Sequence, residues 1–418
     1  MLKVLINAYA CSPYMGSEPG MAWNWCANLA KYCELFIITE GEFRDKIESI
    51  MLTLPQEGNM HFYYLPIGGN DNLKSEKIRK MCWNQGDWRF YWYYAKWQKR
   101  ALKLAQEIVD KEQIDVLHQL NMIGFREPGL LWKIKGIPYI WGPTNAKEAF
   151  PTSFLEGVEL KKKLFIHIKN TITQYQLKHS SKVRNAASRA SLIIASSTDS
   201  ANSIKKYLAV EPLMINESGC EKGGEFLKKD NKKSTFDLLW VGRLIFTKQL
   251  NLALKALSMV HIPNLRLHIV GGTCDEERTF KMMADKLGVA NQCVWHQRVD
   301  HDEVQKLMRS SDLFFFTSIA EGTPHVILEA FNNCLPVLCF DTCGQGDCVN
   351  ETVGVKIQLT NPVRSVRNFA EQIERLYNHR DILDQMSQNC RKRAEELSWD
   401  NKVRQMVDVY HKILDREQ

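Results

Sequence analysis

Short apolar runs recur along the chain, and they are apolar at successive rather than alternate positions: Val4-Leu5-Ile6, Leu35-Phe36-Ile37-Ile38 and Leu313-Phe314-Phe315-Phe316. That pattern predicts strands buried on both faces, as in a parallel sheet. In the first half it predicts strands at Lys3–Ala8, Leu35–Thr39, His61–Ile67, Asp115–Gln119, Pro138–Trp141 and Leu192–Ser196. In the second half it predicts Asp237–Gly242, Arg266–Gly271, Cys293–Gln297, Leu313–Thr317, Leu335–Phe340 and Val355–Ile357. Longer helical stretches separate these strands, which is the signature of doubly wound α/β domains.

The strand–helix series restarts near Phe236, after a polar, Lys-rich stretch from Gly219 to Ser234. Two similar domains follow from this, at residues 1–212 and 213–397, with a terminal helix at 398–418. A length of 418 residues, more than one core ordinarily holds, agrees with that division. The terminal helix is read from Val403, Met406, Val407, Tyr410, Ile413 and Leu414 at helical spacing, with Ser398 as its N-cap. Two such domains facing each other leave a cleft, and open parallel sheets bind ligands beyond the carboxyl ends of their strands.

Candidate chemistry sits just after the expected strands. Glu321 and Glu329 are separated by seven residues in EGTPHVILE, between a strand and a helix from Val326 to Asn333. One carboxylate can accept bonds from two vicinal hydroxyls of a sugar or ribose. Gly322 permits close backbone approach, and the N–H groups of Gly322, Thr323, His325 and Val326 around Pro324 can face an oxyanion. The plain alternative is a capping acid followed by an exposed helical Glu. Strand Leu238–Val241 ends in Gly242-Arg243, with Lys248 five residues further on, and two such cations can neutralise a diphosphate. The alternative there is a solvated turn.

The turn after the first strand carries Gly16 and Gly20 around Ser-Glu-Pro, without the G-x-G-x-x-G dinucleotide fingerprint. It can offer N–H groups to a phosphate or simply cap a helix. His118 at a strand end can reach the cleft, although a lone His is more often structural. Trp141-Gly142-Pro143-Thr144-Asn145 is a candidate acceptor-side loop. Asp300-His301-Asp302 has the look of a metal pair but reads as the cap of a helix from Asp302 to Arg309. No metal site is expected.

Charge and cysteine usage narrow the classes. The net charge is +7, and residues 160–190 contain no Asp or Glu but eight Lys and Arg. This predicts an anionic partner. Trp83, Trp88, Phe90, Tyr91, Trp92, Tyr93, Tyr94 and Trp97 interleave with Arg89, Lys96, Lys99 and Arg100, and Phe165, Ile168, Ile172 and Tyr175 add apolar positions to the basic block. These suit contact of the first domain with an anionic membrane, against the alternative of a partly buried helical pair with a basic outer face. No nucleic-acid role is expected. The twelve cysteines are scattered, and no apolar run reaches the length of a bilayer span. With no signal-peptide pattern in MLKVLINAYA, the expectation is a cytoplasmic protein, at most resting on the inner face of the membrane.

Together these residues resemble the retaining GT-B glycosyltransferases of family four, over nearly the whole chain and most strongly from Phe236 to Ile357. The resemblance implies two facing Rossmann-like domains, with the terminal helix crossing back onto the first. It implies that Arg243 and Lys248 clasp the donor diphosphate, that Glu321 meets the donor sugar and Glu329 the nucleotide ribose, and that the strand ending at Arg298 meets the nucleobase. Gly16 and His118 match the family's Gly-rich turn and strand-end His. Gln249 stands where the family usually has Gly, and Asn216-Glu217-Ser218-Gly219-Cys220-Glu221 replaces its usual Asn-Gly-x-Asp. The implied reaction is metal-independent transfer with front-face attack, from a nucleotide sugar of unspecified base to a glycan or lipid-linked acceptor. No resident cofactor is expected. GSEPGMAWNW and Trp-Gly-Pro look like enzymes of bacterial surface-polysaccharide assembly. A GT-B epimerase and a non-catalytic nucleotide or glycan binder are the alternatives.

Overall fold

The computed structural model describes residues 1–70, 73–82, 88–147, 149–155, 158–221 and 234–417. Trp83 and most of the Lys-rich connecting stretch lie outside the described residues. The chain divides into two units: Met1–Glu148 with Thr171–Glu217 and Trp399–Gln418, and Ala149–Asn170 with Ser218–Ser398. Residues Ala149–Asn170 thus group with the second unit, where the sequence reading kept the first domain continuous.

The first unit holds β1 (Leu2–Ala8), β2 (Cys33–Thr39), β3 (Met60–Tyr64), β4 (Val116–Asn121), β5 (Tyr139–Thr144), β6 (Leu192–Ala195) and β7 (Leu213–Met214). They form one parallel sheet in the order β3-β2-β1-β4-β5-β6-β7. The second unit holds β8 (Phe236–Val241), β9 (Leu265–Val270), β10 (Cys293–Gln297), β11 (Leu313–Phe316), β12 (Val337–Asp341) and β13 (Gly354–Gln358), in the parallel order β10-β9-β8-β11-β12-β13.

Continuous hydrophobicity has the expected cause. Successive side chains of β11 point to opposite faces, and both faces are covered. Phe315 joins Leu238, Trp240 and Phe340 on one side, while Phe314 and Phe316 join Leu239, Val337 and Cys339 on the other. Each such Phe contributes roughly 2–3 kcal/mol by burial. In the first unit the helix Trp399–Glu417 packs on the helix Ser17–Leu29, with the Trp25 and Trp399 rings edge to face at 5.8 Å and the Tyr32 hydroxyl donating to Asp400 at 3.0 Å.

Proline explains where two strands depart from expectation. β3 stops at Tyr64 rather than Ile67, because Pro66 has no N–H to extend the ladder, and β12 starts after Pro336 rather than at Leu335. The two-residue β7 was not expected; it is too short to show a pattern. The expected Trp-Gly-Pro loop is a correction: Trp141 through Thr144 are the buried end of β5.

Candidate functional site: the β8/β11 switch point

In each sheet the connections run in opposite directions from the central pair of strands, and a crevice opens at that reversal, beyond the strand ends. In the second unit the central pair is β8 and β11, whose register pairs Leu238 with Leu313 and Leu239 with Phe314. Gly242-Arg243 and Lys248 follow β8, and Thr317 through Glu321 follow β11, so sheet topology alone brings these two segments together.

Side chains lock the two segments to each other. The Thr317 hydroxyl lies 2.8 Å from the Lys248 carbonyl and accepts from Trp240 Nε1 at 3.0 Å. The Ile319 N–H donates to the Thr247 carbonyl at 3.0 Å. Between Phe246–Lys248, a single 3₁₀ turn, and the helix Leu250–Leu257 stands Gln249 with φ of 51°, the left-handed conformation for which Gly is the easier residue. The Gln249 side chain donates to the Phe246 carbonyl at 2.9 Å and ties the turn down.

Lys248 Nζ reaches Glu321 Oε1 at 2.5 Å, with both side chains more than four-fifths buried, and the ammonium also lies over the Phe316 ring, 5.1 Å from its centroid. Ser318 Oγ donates to the same Glu321 oxygen at 2.5 Å. Glu321 is therefore aimed from two directions. Arg243 is exposed, and no ion-pair partner holds it among the described residues.

The loop after Glu321 leads into the helix His325–Asn332, whose N-cap is Pro324 with no side-chain cap. Thr323 and Pro324 are buried, Gly322 and Val326 half-buried and His325 exposed. The His325 ring meets Ser218 Oγ at 3.1 Å. Gly344 donates to the Gly322 carbonyl at 3.0 Å, and a Cβ on Gly344 would stand 2.5 Å from that oxygen and 2.7 Å from Thr323 Cα. A side chain there would displace the loop. Glu329, one turn into the helix, accepts from Gln305 Nε2 at 3.2 Å and lies 3.8 Å from His301 Nε2. Arg298, beyond β10, donates to Glu276 at 3.3 Å and is otherwise largely exposed. Asp300 accepts from the Glu303 N–H at 2.8 Å, the cap that the sequence implies, with the helix starting at His301.

Two expected residues belong to the first unit. His118 on β4 was expected to reach outward from a strand end. Instead it is fully buried, with Nδ1 2.7 Å from Tyr410 Oη and Nε2 2.7 Å from the Gly142 carbonyl. Burial lowers its pKa to about 4, against a smaller lift from the Gly142 carbonyl. The neutral ring must donate through Nε2, because a carbonyl only accepts, so Nδ1 accepts the Tyr410 hydroxyl. Gly16 caps the helix Ser17–Leu29 and a Cβ there would meet nothing within 4 Å, whereas one on Gly20 would stand 2.1 Å from the Met15 carbonyl. Close packing therefore demands glycine at 20 rather than at 16. In the same turn Glu18 accepts from the Ile123 N–H at 2.5 Å. Burial raises its pKa to about 7, outweighing that bond, and the Glu217 charge adds to the rise.

Sequence reasoning missed Ser318, Gln345, Gln305 and His301. Gln345 is fully buried and donates to the Ser318 carbonyl at 3.0 Å. Ser318, three residues before Glu321 at a strand end, was open to inference; Gln345 carried no signal.

Residues 224–394 match the family model described as glycosyl transferases group 1. That match falls within the second unit. A putative glycosyltransferase of Bacillus subtilis (strain 168), EpsD, is 26% identical over 190 residues, which cover 44% of this chain and 48% of the relative. The match thus spans about half the length of that relative. Among solved structures, the lipopolysaccharide outer core galactosyltransferase WaaB in its apo form aligns over 98% of this chain and 99% of its own, with a TM-score of 0.63 at 15% identity. HepE of Anabaena in complex with UDP aligns over 99% of this chain and 100% of its own, with a TM-score of 0.60 at 15% identity. The fold is GT-B.

Proposed function

We propose that the chain is a retaining glycosyltransferase, moving a sugar from a nucleotide donor to a glycan or lipid-linked acceptor in bacterial surface-polysaccharide assembly. The Lys248–Glu321 contact at the β8/β11 switch point carries this reading: a cation and an acid are fixed side by side where such folds bind ligands. Without donor, Lys248 neutralises Glu321. With donor, its ammonium is shared with the diphosphate, and Arg243, exposed and without an ion-pair partner among the described residues, supplies the second positive charge.

As the bond from the anomeric carbon to the diphosphate oxygen breaks, negative charge grows on the diphosphate and positive charge on the sugar ring. Arg243 and Lys248 stabilise the first, and Glu321 the second. Glu329 receives the ribose hydroxyls, and the uncapped start of the helix His325–Asn332 faces the phosphates. Arg298 lies toward the base. His118 takes no part in this chemistry, because neither ring nitrogen is free. Front-face attack and independence from metal follow from the family resemblance. The engagement of Asp300 as a helix cap supports the latter. HepE has been solved with UDP-glucose, which makes uridine donors the first to try.

The test is incubation with a panel of uridine, guanosine and adenosine diphosphate sugars, following nucleotide release with and without glycan and lipid-linked acceptors. Acceptor-dependent release with the anomeric configuration kept, unaffected by a chelator, is the expected result. Isomerised donor or free sugar without acceptor would indicate an epimerase, and inversion would refute the mechanism.

A further inference from the structure

Within the second unit, the helix His301–Ser310 and the helix His325–Asn332 meet along a seam of polar side chains. His301, Gln305 and Arg309 recur at every fourth residue of the first, and Glu329 and Asn333 stand four apart at the end of the second. Residues at that spacing share one face of a helix, so each helix offers the other a single polar row.

The seam has a direction, and one end fixes it. The Arg309 guanidinium is permanently charged and can only donate, and its Nη1 lies 3.2 Å from one end of the Asn333 amide. That end must be the oxygen, Oδ1. Asn333 Nδ2 then donates to Gln305 Oε1 at 2.6 Å and to the Glu329 carbonyl at 2.8 Å. With its oxygen taken, Gln305 turns Nε2 to Glu329 Oε2 at 3.2 Å, where an ionised carboxylate can only accept. Every donor of the row meets an acceptor, from the cation at one end to the carboxylate at the other. Turning over either amide would set oxygen against oxygen.

Gln305 Nε2 also lies 3.2 Å from His301 Nε2. Because the amide nitrogen donates, this ring nitrogen accepts, and the neutral imidazole carries its proton on Nδ1. His301 Nε2 and Glu329 Oε1, 3.8 Å apart, are then two acceptors and form no hydrogen bond. Glu329 has Oε2 held by Gln305 and Oε1 without a donor among the described residues, in a side chain that is 33% exposed.

We propose that Gln305 is the positioning residue of Glu329, and that the Arg309–Asn333–Gln305 row keeps this carboxylate turned to take ligand hydroxyl groups through Oε1. The ligand class is a nucleotide with an intact ribose. An oxygen that can only accept is left unpaired by a sugar lacking its hydroxyls, and such a loss discriminates strongly. The inference rests on the reading of Glu329 as the ribose contact.

The test is calorimetric titration of UDP, GDP and ADP, and of their 2′,3′-dideoxy counterparts, into the wild-type chain, Gln305→Met and Asn333→Asp. Met keeps much of the shape of Gln without its N–H groups. Asp cannot donate to Gln305 Oε1, so the Gln305 amide turns over and sets its oxygen against Glu329. The nucleotide that binds the wild-type chain should bind each variant about tenfold more weakly, the scale of one hydrogen bond to a charged group. Its dideoxy counterpart, with no hydroxyl for Glu329, should bind all three proteins alike, which also shows that the variants are folded. Equal weakening of both nucleotides would give the seam a structural role alone. That result, or undiminished affinity of Gln305→Met for the ribose nucleotide, overturns the proposal and leaves the donor site standing. No binding of any nucleotide by the wild-type chain overturns the proposal together with the donor-site reading.

Discussion

The two sheets share one topology around their central strands and use it for opposite ends. At the β1/β4 reversal of the first unit the strands end in neutral polar groups sealed from water: Asn7, His118, Gln119 and Asn121 are at most 1% exposed. Asn7 donates to Gln98 at 2.9 Å, Asn121 donates to the Ala10 carbonyl at 2.7 Å, and His118 bridges Tyr410 and Gly142. At the β8/β11 reversal of the second unit the strand ends lead to charges, Arg243, Lys248 and Glu321, which keep some contact with solvent. Topology locates a crevice in both units, but the ionic character and accessibility of the side chains distinguish the candidate site of the second unit from the neutral, buried network of the first.

The largest effect expected to sharpen that contrast is catalytic. Lys248→Ala or Glu321→Ala should lower the turnover number by about a hundred- to thousandfold, the usual consequence of losing an electrostatic contact to a transition state. Steady-state rates with whichever donor the nucleotide-sugar panel identifies would show it, and a loss below tenfold would remove the pair from the site. The first unit's reversal should instead register in stability. His118 has a folded pKa of about 4 against an ordinary value near 6.5. Above that value neither state carries the proton. Below it the unfolded chain gains a proton that the folded chain refuses, so stability falls as pH drops from about 6.5 to about 4, by roughly 3 kcal/mol. Denaturant unfolding across this range should show a slope that flattens in His118→Gln.

Tyr410→Phe should cost about 1–3 kcal/mol by leaving His118 Nδ1 buried without a donor, with turnover per folded molecule unchanged. A large loss of turnover at intact stability would give that network a catalytic role. The smallest effect concerns the first turn: Gly16→Ala should change stability by no more than about 0.5 kcal/mol, whereas Gly20→Ala should destabilise the chain visibly through its clash with the Met15 carbonyl. Thermal melts of the two variants decide this.

Much of the fold was legible because strands covered on both faces must be apolar at every position. β11 announces itself in Leu313-Phe314-Phe315-Phe316, and strand ends near Pro66 and Pro336 moved only because proline cannot donate to a ladder. Candidate site residues were legible where chemistry follows a strand directly, as with Arg243, Lys248 and Glu321. Partners distant in sequence were not. Tyr410 lies 292 residues from His118, so nothing local could reveal that this strand-end imidazole is capped on both nitrogens. Trp141-Gly142-Pro143-Thr144-Asn145 read as a loop because it follows the expected strand Pro138–Trp141, yet the strand runs on and β5 ends only at Thr144.

The central claim is that the second reversal binds a nucleoside diphosphate. Calorimetric titration of UDP, GDP and ADP into the wild-type chain, Arg243→Ala and Glu329→Ala tests it directly. One nucleotide should bind the wild-type chain, and each variant should lose about ten- to a hundredfold in affinity, the worth of one charge-assisted hydrogen bond. No binding by the wild-type chain, or equal affinity in all three proteins, would contradict the account.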